Sequence, residues 1–197
     1  MENIFSSKHE LISRKEKERL LNQRGICIWL TGLSGSGKTT IAKHVANELH
    51  DNGYLTQILD GDNLRLGVNN NLSFNLSDRL ENVRRTAEIS KLFIQNGIIT
   101  FCCLVSPTNK IRNLARKIIG ENDFYETFVS TPLKECEKRD TKGLYKKARK
   151  SEIENFTGIS SPYESPKNPS FTISTVGKSI EETANELLTA ILPKIEF

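Results

Sequence analysis

The sequence has little of several features that mark particular classes of protein. It contains no hydrophobic run near the roughly 20 residues that a membrane-spanning helix requires. Residues 1–8 do not combine a basic stretch with a following apolar one, so we expect no signal peptide. The 4 cysteines include no C-x-x-C pair, and Cys102 and Cys103 lie in an apolar run that favours buried reduced thiols. These absences predict a cytoplasmic protein that does not engage a membrane.

The net charge is also small. It is +4, with 26% charged and 37% hydrophobic residues, as is ordinary for one globular domain. A mild positive charge suits a small anionic substrate and does not require nucleic acid. We expect an N-terminal extension over residues 1–24, with a short helix at 13–23, followed by one domain over 25–197.

What the sequence does contain is a phosphate-binding loop. Residues 32–39 read G-x-x-x-x-G-K-T, after an apolar run typical of a buried strand and before apolar residues at helical spacing. In such a loop, Lys38 reaches the β- and γ-phosphates of ATP and Thr39 ligates Mg²⁺. The alternative is a glycine-rich turn that binds no nucleotide. The predicted ATP-binding residues of the loop are Gly32, Leu33, Ser34, Gly35, Ser36, Gly37, Lys38, Thr39 and Thr40.

Strand and helix patterns alternate along the chain. The predicted strands cover residues 26–31, 55–60, 98–105, 124–129 and 171–174. The helical patterns cover 38–52, 77–96, 109–119, 133–139 and 179–192, and the proline-containing stretch 157–169 is predicted to be a loop. This alternation predicts an α/β three-layer sandwich with about five parallel strands flanked by helices. Ligands are then expected beyond the carboxyl ends of the strands.

Two carboxylates follow the second predicted strand. Asp60 and Asp62 flank Gly61, a spacing that suits Mg²⁺ positioning and the activation of an acceptor hydroxyl. The structural alternative is a D-G turn with a helix N-cap. No acidic residue ends the strand at 98–105, where many ATPases carry their metal-binding aspartate. This favours a small-molecule kinase in which Asp62 fills that role.

Basic residues are expected to complete the site. Arg79 and Asn82 are three residues apart and share a helix face, where they could grip an anion and a nucleoside. Residues 134–150 are rich in lysine and arginine, and we expect a basic helical lid over about 134–157. Solvated charged faces are the alternative for both segments. RNA binding is disfavoured because Tyr145 is the only aromatic residue in the basic run.

Three strings together resemble one family closely. LDGDNLR at residues 59–65, DRLENVRR at 78–85 and KGLYKKAR at 142–149 are similar to the motifs of adenosine 5′-phosphosulfate kinase, also called adenylyl-sulfate kinase. The resemblance implies a P-loop NTPase core. It also implies transfer of the γ-phosphoryl of ATP, with Mg²⁺, to the 3′-hydroxyl of adenosine 5′-phosphosulfate. A homodimer and a separate sulfate adenylyltransferase acting upstream are further implications.

The resemblance also implies roles for individual residues. Lys38 and Asp62 are catalytic, Thr39 and Asp62 hold the metal, and Arg139 packs on the ATP adenine. Ser106 matches the serine that the family pattern marks as a phosphoserine intermediate, although direct transfer requires only Asp62, Mg²⁺ and the lid. Phe74 and Phe156 would sandwich the acceptor adenine, or be ordinary core aromatics. The implied acceptor-site residues are Asp60, Asp62, Arg65, Phe74, Arg79, Asn82, Val105, Ser106, Lys142, Leu144 and Phe156.

The sequence departs from the family pattern at two places. Residues 106–112 read S-P-T-N-K-I-R, which keeps only the final arginine of the usual S-P-[YH]-R-x-[DE]-R, and Ser73 replaces a glycine. These changes bear on substrate positioning, so a 3′-hydroxyl kinase of another 5′-modified nucleotide is an alternative. A nucleotide-binding regulatory module without turnover is a second alternative, and a nucleic-acid-binding protein is a third. We expect a monofunctional chain, because its length leaves no room for a fused sulfurylase domain.

Overall fold

A computed structural model describes residues 11–197 of the chain. Within this part, the strands are β1 (Cys27–Thr31), β2 (Thr56–Asp60), β3 (Ile99–Cys103), β4 (Phe124–Val129) and β5 (Phe171–Ile173). They form one parallel sheet in the order β2-β3-β1-β4-β5. The central strand β1 is buried along its whole length, as expected for a parallel sheet covered on both faces.

Helices cover both faces of this sheet. They are α1 (Arg14–Leu21), α2 (Lys38–Asp51), α3 (Gly61–Leu66), α4 (Leu76–Ile94), α5 (Asn109–Ile119), α6 (Leu133–Arg139), α7 (Leu144–Arg149) and α8 (Ile180–Ile195). Side chains alternate along β1, so Ile28 and Leu30 join a core with α2 and α8, while Cys27 and Trp29 join a second core with α4 and α5. The predicted α/β three-layer sandwich is confirmed.

The short helix α1 is tied to the amino end of the sheet. Ser13 caps it in a capping box with Glu16. Arg14 forms a two-pronged ion pair with Asp123, with nitrogen–oxygen distances of 2.5 and 2.9 Å, and also donates to the Gly25 carbonyl. The helix predicted over 13–23 is therefore confirmed. Residues 1–10 of the predicted N-terminal extension lie outside the described part of the chain.

Several predicted boundaries differ from the structure. The strand predicted over 98–105 ends at Cys103, because Ser106 turns the chain into a left-handed conformation with φ +38°. The helix predicted to end at Leu192 continues to Ile195 and contains Pro193 in its last turn. The short helices α3 and α7 were not predicted as separate elements, since six residues carry too little periodicity.

The four cysteines are free and buried, in agreement with the expectation of reduced thiols. Burial raises the pKa of the Cys103 thiol to about 12, so the thiolate, which is the reactive form, is scarce at neutral pH. Among residues 11–197, no helix is both long and apolar enough to cross a bilayer.

Candidate active site

The phosphate-binding loop joins β1 to α2 at the carboxyl edge of the sheet. A side chain at Gly32 would place its Cβ 2.6 Å from the Val129 carbonyl oxygen, so only glycine fits between β1 and β4. Gly37, at φ +108°, precedes α2 and provides no side-chain cap for its first amides. A helix N-terminus with free amides attracts an anion. The loop is therefore built to receive phosphate.

Lys38 is the buried cation of this loop. Its Nζ donates to the carbonyl oxygens of Gly32 and Leu33, at 3.0 and 2.8 Å. Burial lowers the pKa of Lys38 to about 8. A buried ammonium that is held by neutral carbonyls gains strongly from an anionic partner. A bound nucleotide phosphate would supply that partner.

A cavity of about 470 Å³ extends from the loop across the ends of β2 and β3 to α4 and the segment around α7. Most of the predicted site residues line it. They are Ser34, Gly35, Gly37, Lys38, Thr39, Thr40, Asp60, Asp62, Arg65, Phe74, Arg79, Asn82, Val105, Ser106, Lys142 and Leu144. Gly32, Leu33, Ser36, Arg139 and Phe156 are not among the lining residues. The cavity thus unites the two predicted nucleotide sites at the expected edge of the sheet.

The two carboxylates after β2 have different surroundings. Asp60 Oδ2 accepts a 2.7 Å hydrogen bond from the Thr39 hydroxyl, and its Oδ1 accepts from the backbone amides of Asp62 and Asn63. Asp60 therefore caps α3 as well as facing the loop. Asp62 accepts from the Lys142 ammonium at 2.5 Å, and both of these side chains are about two-thirds exposed. Asp60 is therefore the predicted helix N-cap, and its second carboxylate oxygen contacts the phosphate loop through Thr39.

These residues fit a magnesium ion. The described residues contain no cluster of three or more histidines, cysteines and carboxylates that could hold a metal alone. Mg²⁺ does not need one, because it usually takes one or two carboxylates and completes its shell with water and phosphate oxygens. The Thr39 hydroxyl and the carboxylates of Asp60 and Asp62 line one cavity beside the phosphate loop. The prediction named Thr39 and Asp62, whereas the hydrogen bond links Thr39 to Asp60.

Two arginines at the far end of the cavity are held by backbone carbonyls. Arg65 donates to the Leu72 and Ser73 carbonyls at 2.9 Å and lies 4.2 Å from the centre of the Phe74 ring. Arg79 donates to the Phe74 carbonyl at 2.7 Å and to the Asn155 carbonyl at 2.8 Å. Burial, and next the charge of Arg65, lowers the pKa of Arg79. Two close cations of this kind favour an anionic ligand.

The segment around α7 lies across the cavity. Besides the Lys142–Asp62 pair, the Tyr145 hydroxyl donates to the Ser34 carbonyl at 2.9 Å. The Tyr145 ring meets the Phe156 ring edge-on, with 5.0 Å between ring centroids. Phe156 is not among the residues that line the cavity, whereas Phe74 is half-exposed and lines it. Sequence reasoning treated Tyr145 only as a lone aromatic in a basic run, and so missed its contact with the loop.

Arg139 lies on the other side of the loop from the acceptor end. It donates to the Thr175 hydroxyl at 2.9 Å and to the Thr175 carbonyl at 3.2 Å, and it pairs with Glu135 at 3.4 Å. The Thr131 hydroxyl, which contacts Thr175 at 2.6 Å, also donates to the Ser36 carbonyl. Arg139 is therefore anchored near the back of the phosphate loop, outside the lining of the cavity.

Ser106 is buried in a hydrogen-bond chain at the floor of the cavity. Its hydroxyl accepts from the Trp29 indole at 3.1 Å and donates to the Thr31 hydroxyl at 3.0 Å. Its carbonyl accepts from Arg112 at 2.7 Å. Arg112 is itself buried and pairs with buried Glu126 at 3.0 Å. The arginine that remains from the altered family string therefore holds the turn at Ser106.

The segment that departs from the family pattern is held by a residue from a distant loop. The Glu164 carboxylate accepts from the backbone amide of Asn109 at 2.8 Å and from its side-chain amide at 3.0 Å, at the start of α5. The Glu164 carbonyl accepts from Arg112 at 2.7 Å. The 157–169 loop is thereby fixed beside Ser106. The contact between Glu164 and Asn109 could not be predicted from the sequence, because the two residues are 55 positions apart.

Comparisons with known proteins agree with this geometry. The sequence model of the adenylylsulphate kinase family matches residues 24–174. The adenylyl-sulfate kinase of Bacteroides fragilis YCH46 is 57% identical over 193 residues, which cover 98% of this chain and 96% of the relative. That of Clostridium acetobutylicum is 49% identical over 177 residues, which cover 90% and 88%.

A solved structure is similar as well. It is the adenosine 5′-phosphosulfate (APS) kinase of Mycobacterium tuberculosis, determined in complex with AMPPNP and APS. The two structures have a TM-score of 0.83 and 45% sequence identity, and the match covers 85% of this chain and 98% of that one. A family model that spans most of the domain, and relatives that align over nearly the whole chain, leave one assignment. The chain belongs to the adenylyl-sulfate kinase family.

Proposed function

We propose that this protein transfers the γ-phosphoryl of ATP to the ribose 3′-hydroxyl of adenosine 5′-phosphosulfate (APS), giving 3′-phosphoadenosine 5′-phosphosulfate. The observation that carries the proposal is that one cavity brings together a phosphate loop, two carboxylates and a pair of arginines. Kinase relatives at 57% identity, and a solved relative that binds AMPPNP and APS, support the same reaction.

The donor nucleotide occupies the phosphate loop. The loop amides and Lys38 hold the β- and γ-phosphates, and Arg139 packs on the ATP adenine. Thr39, Asp60 and Asp62 would hold Mg²⁺, which neutralises charge on the transferring phosphoryl when it is bound. Among these roles, that of Lys38 has the most direct support, since its ammonium is buried against neutral carbonyls.

The acceptor nucleotide occupies the far end. Arg65 and Arg79 bind the phosphosulfate, and Phe74 and Phe156 sandwich the adenine, with the Tyr145 ring packed edge-on against that of Phe156. Asp62 accepts the proton of the attacking 3′-hydroxyl, for which its carboxylate must leave the ammonium of Lys142. The acceptor-site contacts are completed by Asp60, Asn82, Val105, Ser106, Lys142 and Leu144.

Residues 134–157 act as a basic lid of the domain over 25–197. The two contacts that cross the cavity, Lys142 to Asp62 and Tyr145 to Ser34, support this assignment. Closure over the substrates would exclude water from the transferring phosphoryl. Transfer is direct, because the Ser106 hydroxyl is already engaged with Trp29 and Thr31 and is 3% exposed.

The proposed reaction also has implications for the location, the substrate supply and the assembly of the protein. A cytoplasmic location suits an enzyme that uses ATP and keeps four free thiols. A separate sulfate adenylyltransferase would supply the substrate. A homodimer is the assembly that the family resemblance implies. A related APS kinase of Thiobacillus denitrificans, 28% identical, is hexameric.

The proposal is tested by measuring ADP release with APS and with a panel of other 5′-substituted adenosine nucleotides. We expect turnover with APS far above that with the rest of the panel. The Lys38→Ala variant is the control, because loss of this electrostatic contact should lower turnover by roughly 10²–10³-fold. Preference for another 5′-modified nucleotide would move the assignment to the related 3′-hydroxyl kinase, and ATP binding without turnover would indicate a regulatory module.

A further inference from the structure

A buried asparagine outside every recognised motif is hydrogen-bonded to a residue at the acceptor end of the cavity. Asn69 lies in the segment that joins α3 to α4, and its side chain is 0% exposed. Its Nδ2 donates a 3.0 Å hydrogen bond to the Oδ1 of Asn82. Asn82 is on α4 and lines the cavity, whereas Asn69 does not. The contact therefore reaches the cavity only through Asn82.

The other end of the Asn69 amide is unsatisfied. Its Oδ1 is buried and has no hydrogen-bond partner among residues 11–197. A buried acceptor without a partner destabilises a fold, and an apolar side chain of similar size would avoid the cost. Unfavourable local choices of this kind concentrate at functional sites. The Nδ2 donor is thus the part of Asn69 that the structure uses.

This donor decides which atom Asn82 presents to the cavity. Because the Oδ1 of Asn82 accepts from Asn69, the Nδ2 of Asn82 is its free end, with no protein acceptor in the described part of the chain. Arg65 and Arg79 line the same end of the cavity. An N–H donor beside two cations matches an anionic, oxygen-rich ligand, whereas a carbonyl oxygen would repel it.

We propose that Asn69 is a positioning residue that fixes the amide of Asn82, so that its Nδ2 and not its Oδ1 faces the acceptor nucleotide. The inference rests on the proposed function, since it assigns the acceptor to this end of the cavity. The surrounding loop does not depend on Asn69 alone. Arg85 donates to the Val68 carbonyl at 3.0 Å and to the Asn71 Oδ1 at 2.8 Å, which holds the loop against α4 from the outside.

The test is Asn69→Asp, which keeps the size of the side chain but leaves only acceptor atoms. Asn82 must then turn its Nδ2 toward residue 69 and present its oxygen to the cavity. We expect the KM for APS to rise by roughly 10–100-fold, which corresponds to the loss of one hydrogen bond from Asn82 to a charged ligand group. The KM for ATP and kcat should stay within about twofold, because the donor loop is unaffected.

Three comparisons separate positioning from general damage. Asn71→Asp adds the same charge to the same loop beside Arg85, and it should leave both KM values within about twofold. In an Asn82→Ala background, Asn69→Asp should add less than about twofold, because its effect passes through Asn82. Asn69→Ala, which needs no buried carboxylate, should raise the KM for APS in the same direction, and thermal melts verify that each variant is folded.

The inference is overturned if folded Asn69→Asp retains the wild-type KM for APS. That result is expected if Asn82 donates to Asn69 instead, since aspartate would preserve such a bond. A full Asn69→Asp effect in the Asn82→Ala background, or an equal rise in both KM values, also overturns it. Failure of the proposed function is distinct, because the wild-type protein would then show no turnover with APS at all.

Discussion

Replacing Arg79 with alanine should weaken the acceptor site and spare the donor site. Arg79 already donates to the Phe74 and Asn155 carbonyls, and its remaining N–H groups have no acceptor among residues 11–197. Its lowered pKa reflects burial and the nearby charge of Arg65, so the site favours an anion before substrate arrives. A charge-assisted contact from this guanidinium is worth roughly 1.5–3 kcal/mol, or about 10- to 150-fold in affinity.

Steady-state kinetics with each substrate varied in turn measures this effect. We expect Arg79→Ala to raise the KM for APS by about that factor and to leave the KM for ATP within about twofold. Arg79→Lys keeps the charge but loses the planar fork, so it should fall between alanine and wild type. Arg84, on the same helix and paired with Glu81 at 2.7 Å, is the matched control, and its alanine variant should behave as wild type.

The reasoning is refuted if Arg79→Ala raises both KM values equally, or raises only that for ATP. In the first case Arg79 would act on the fold, and in the second it would bind the donor nucleotide. A similar loss in Arg84→Ala would point to the charge of helix α4 in general, and not to a contact at the acceptor site.

Three further predictions concern other parts of the site. The pKa of Lys38, about 8 when folded against 10.5 when unfolded, means that at this group the unfolded chain binds more protons between these values, so Lys38 adds stability to the nucleotide-free protein as pH rises through that window. The buried thiols, whose pKa values are raised, act in the opposite direction. Denaturant titrations should therefore show the Lys38 contribution as the difference between wild type and Lys38→Met, which should shift in favour of wild type as pH rises. Asp62→Asn should nearly eliminate turnover yet retain ATP binding, measured by calorimetry, since an amide cannot accept the hydroxyl proton; normal turnover would mean that Asp60 is the base. Glu126→Gln leaves the charge of Arg112 buried without its partner and should cost about 3–5 kcal/mol of unfolding free energy; chemical denaturation measures this, and a loss below about 1 kcal/mol would contradict it.

The parts of the fold that could be predicted are those set by local chemistry. Glycine spacing, the apolar run of β1 and the period of α2 define the phosphate loop from neighbouring residues alone. The carboxyl-edge rule then places Asp60 and Asp62 beside the loop without further information. Resemblance to a family extended this to Arg65 and Arg79, which do line the cavity.

The remaining features depend on contacts between distant residues. Tyr145 meets Ser34 across 111 residues, and Arg112 meets the Glu164 carbonyl across 52. Neither pair shares a motif, so no spacing rule could indicate it. The role of Asn69 could not be predicted from the sequence either, because no motif contains it and its hydrogen bond to Asn82 depends on the fold. The edge-on contact between Phe156 and Tyr145 was likewise not predictable, because it depends on the path of the chain after α7.

The most direct test of the central claim is to identify the phosphorylated atom of the product. The protein is incubated with ATP and either APS or its 3′-deoxy analogue, and the products are analysed by mass spectrometry and phosphorus NMR. The account predicts one ADP for each new phosphate on the 3′-oxygen of APS, and no phosphorylated product from the 3′-deoxy analogue. Phosphorylation of the 3′-deoxy analogue, or of another oxygen of APS, would contradict it.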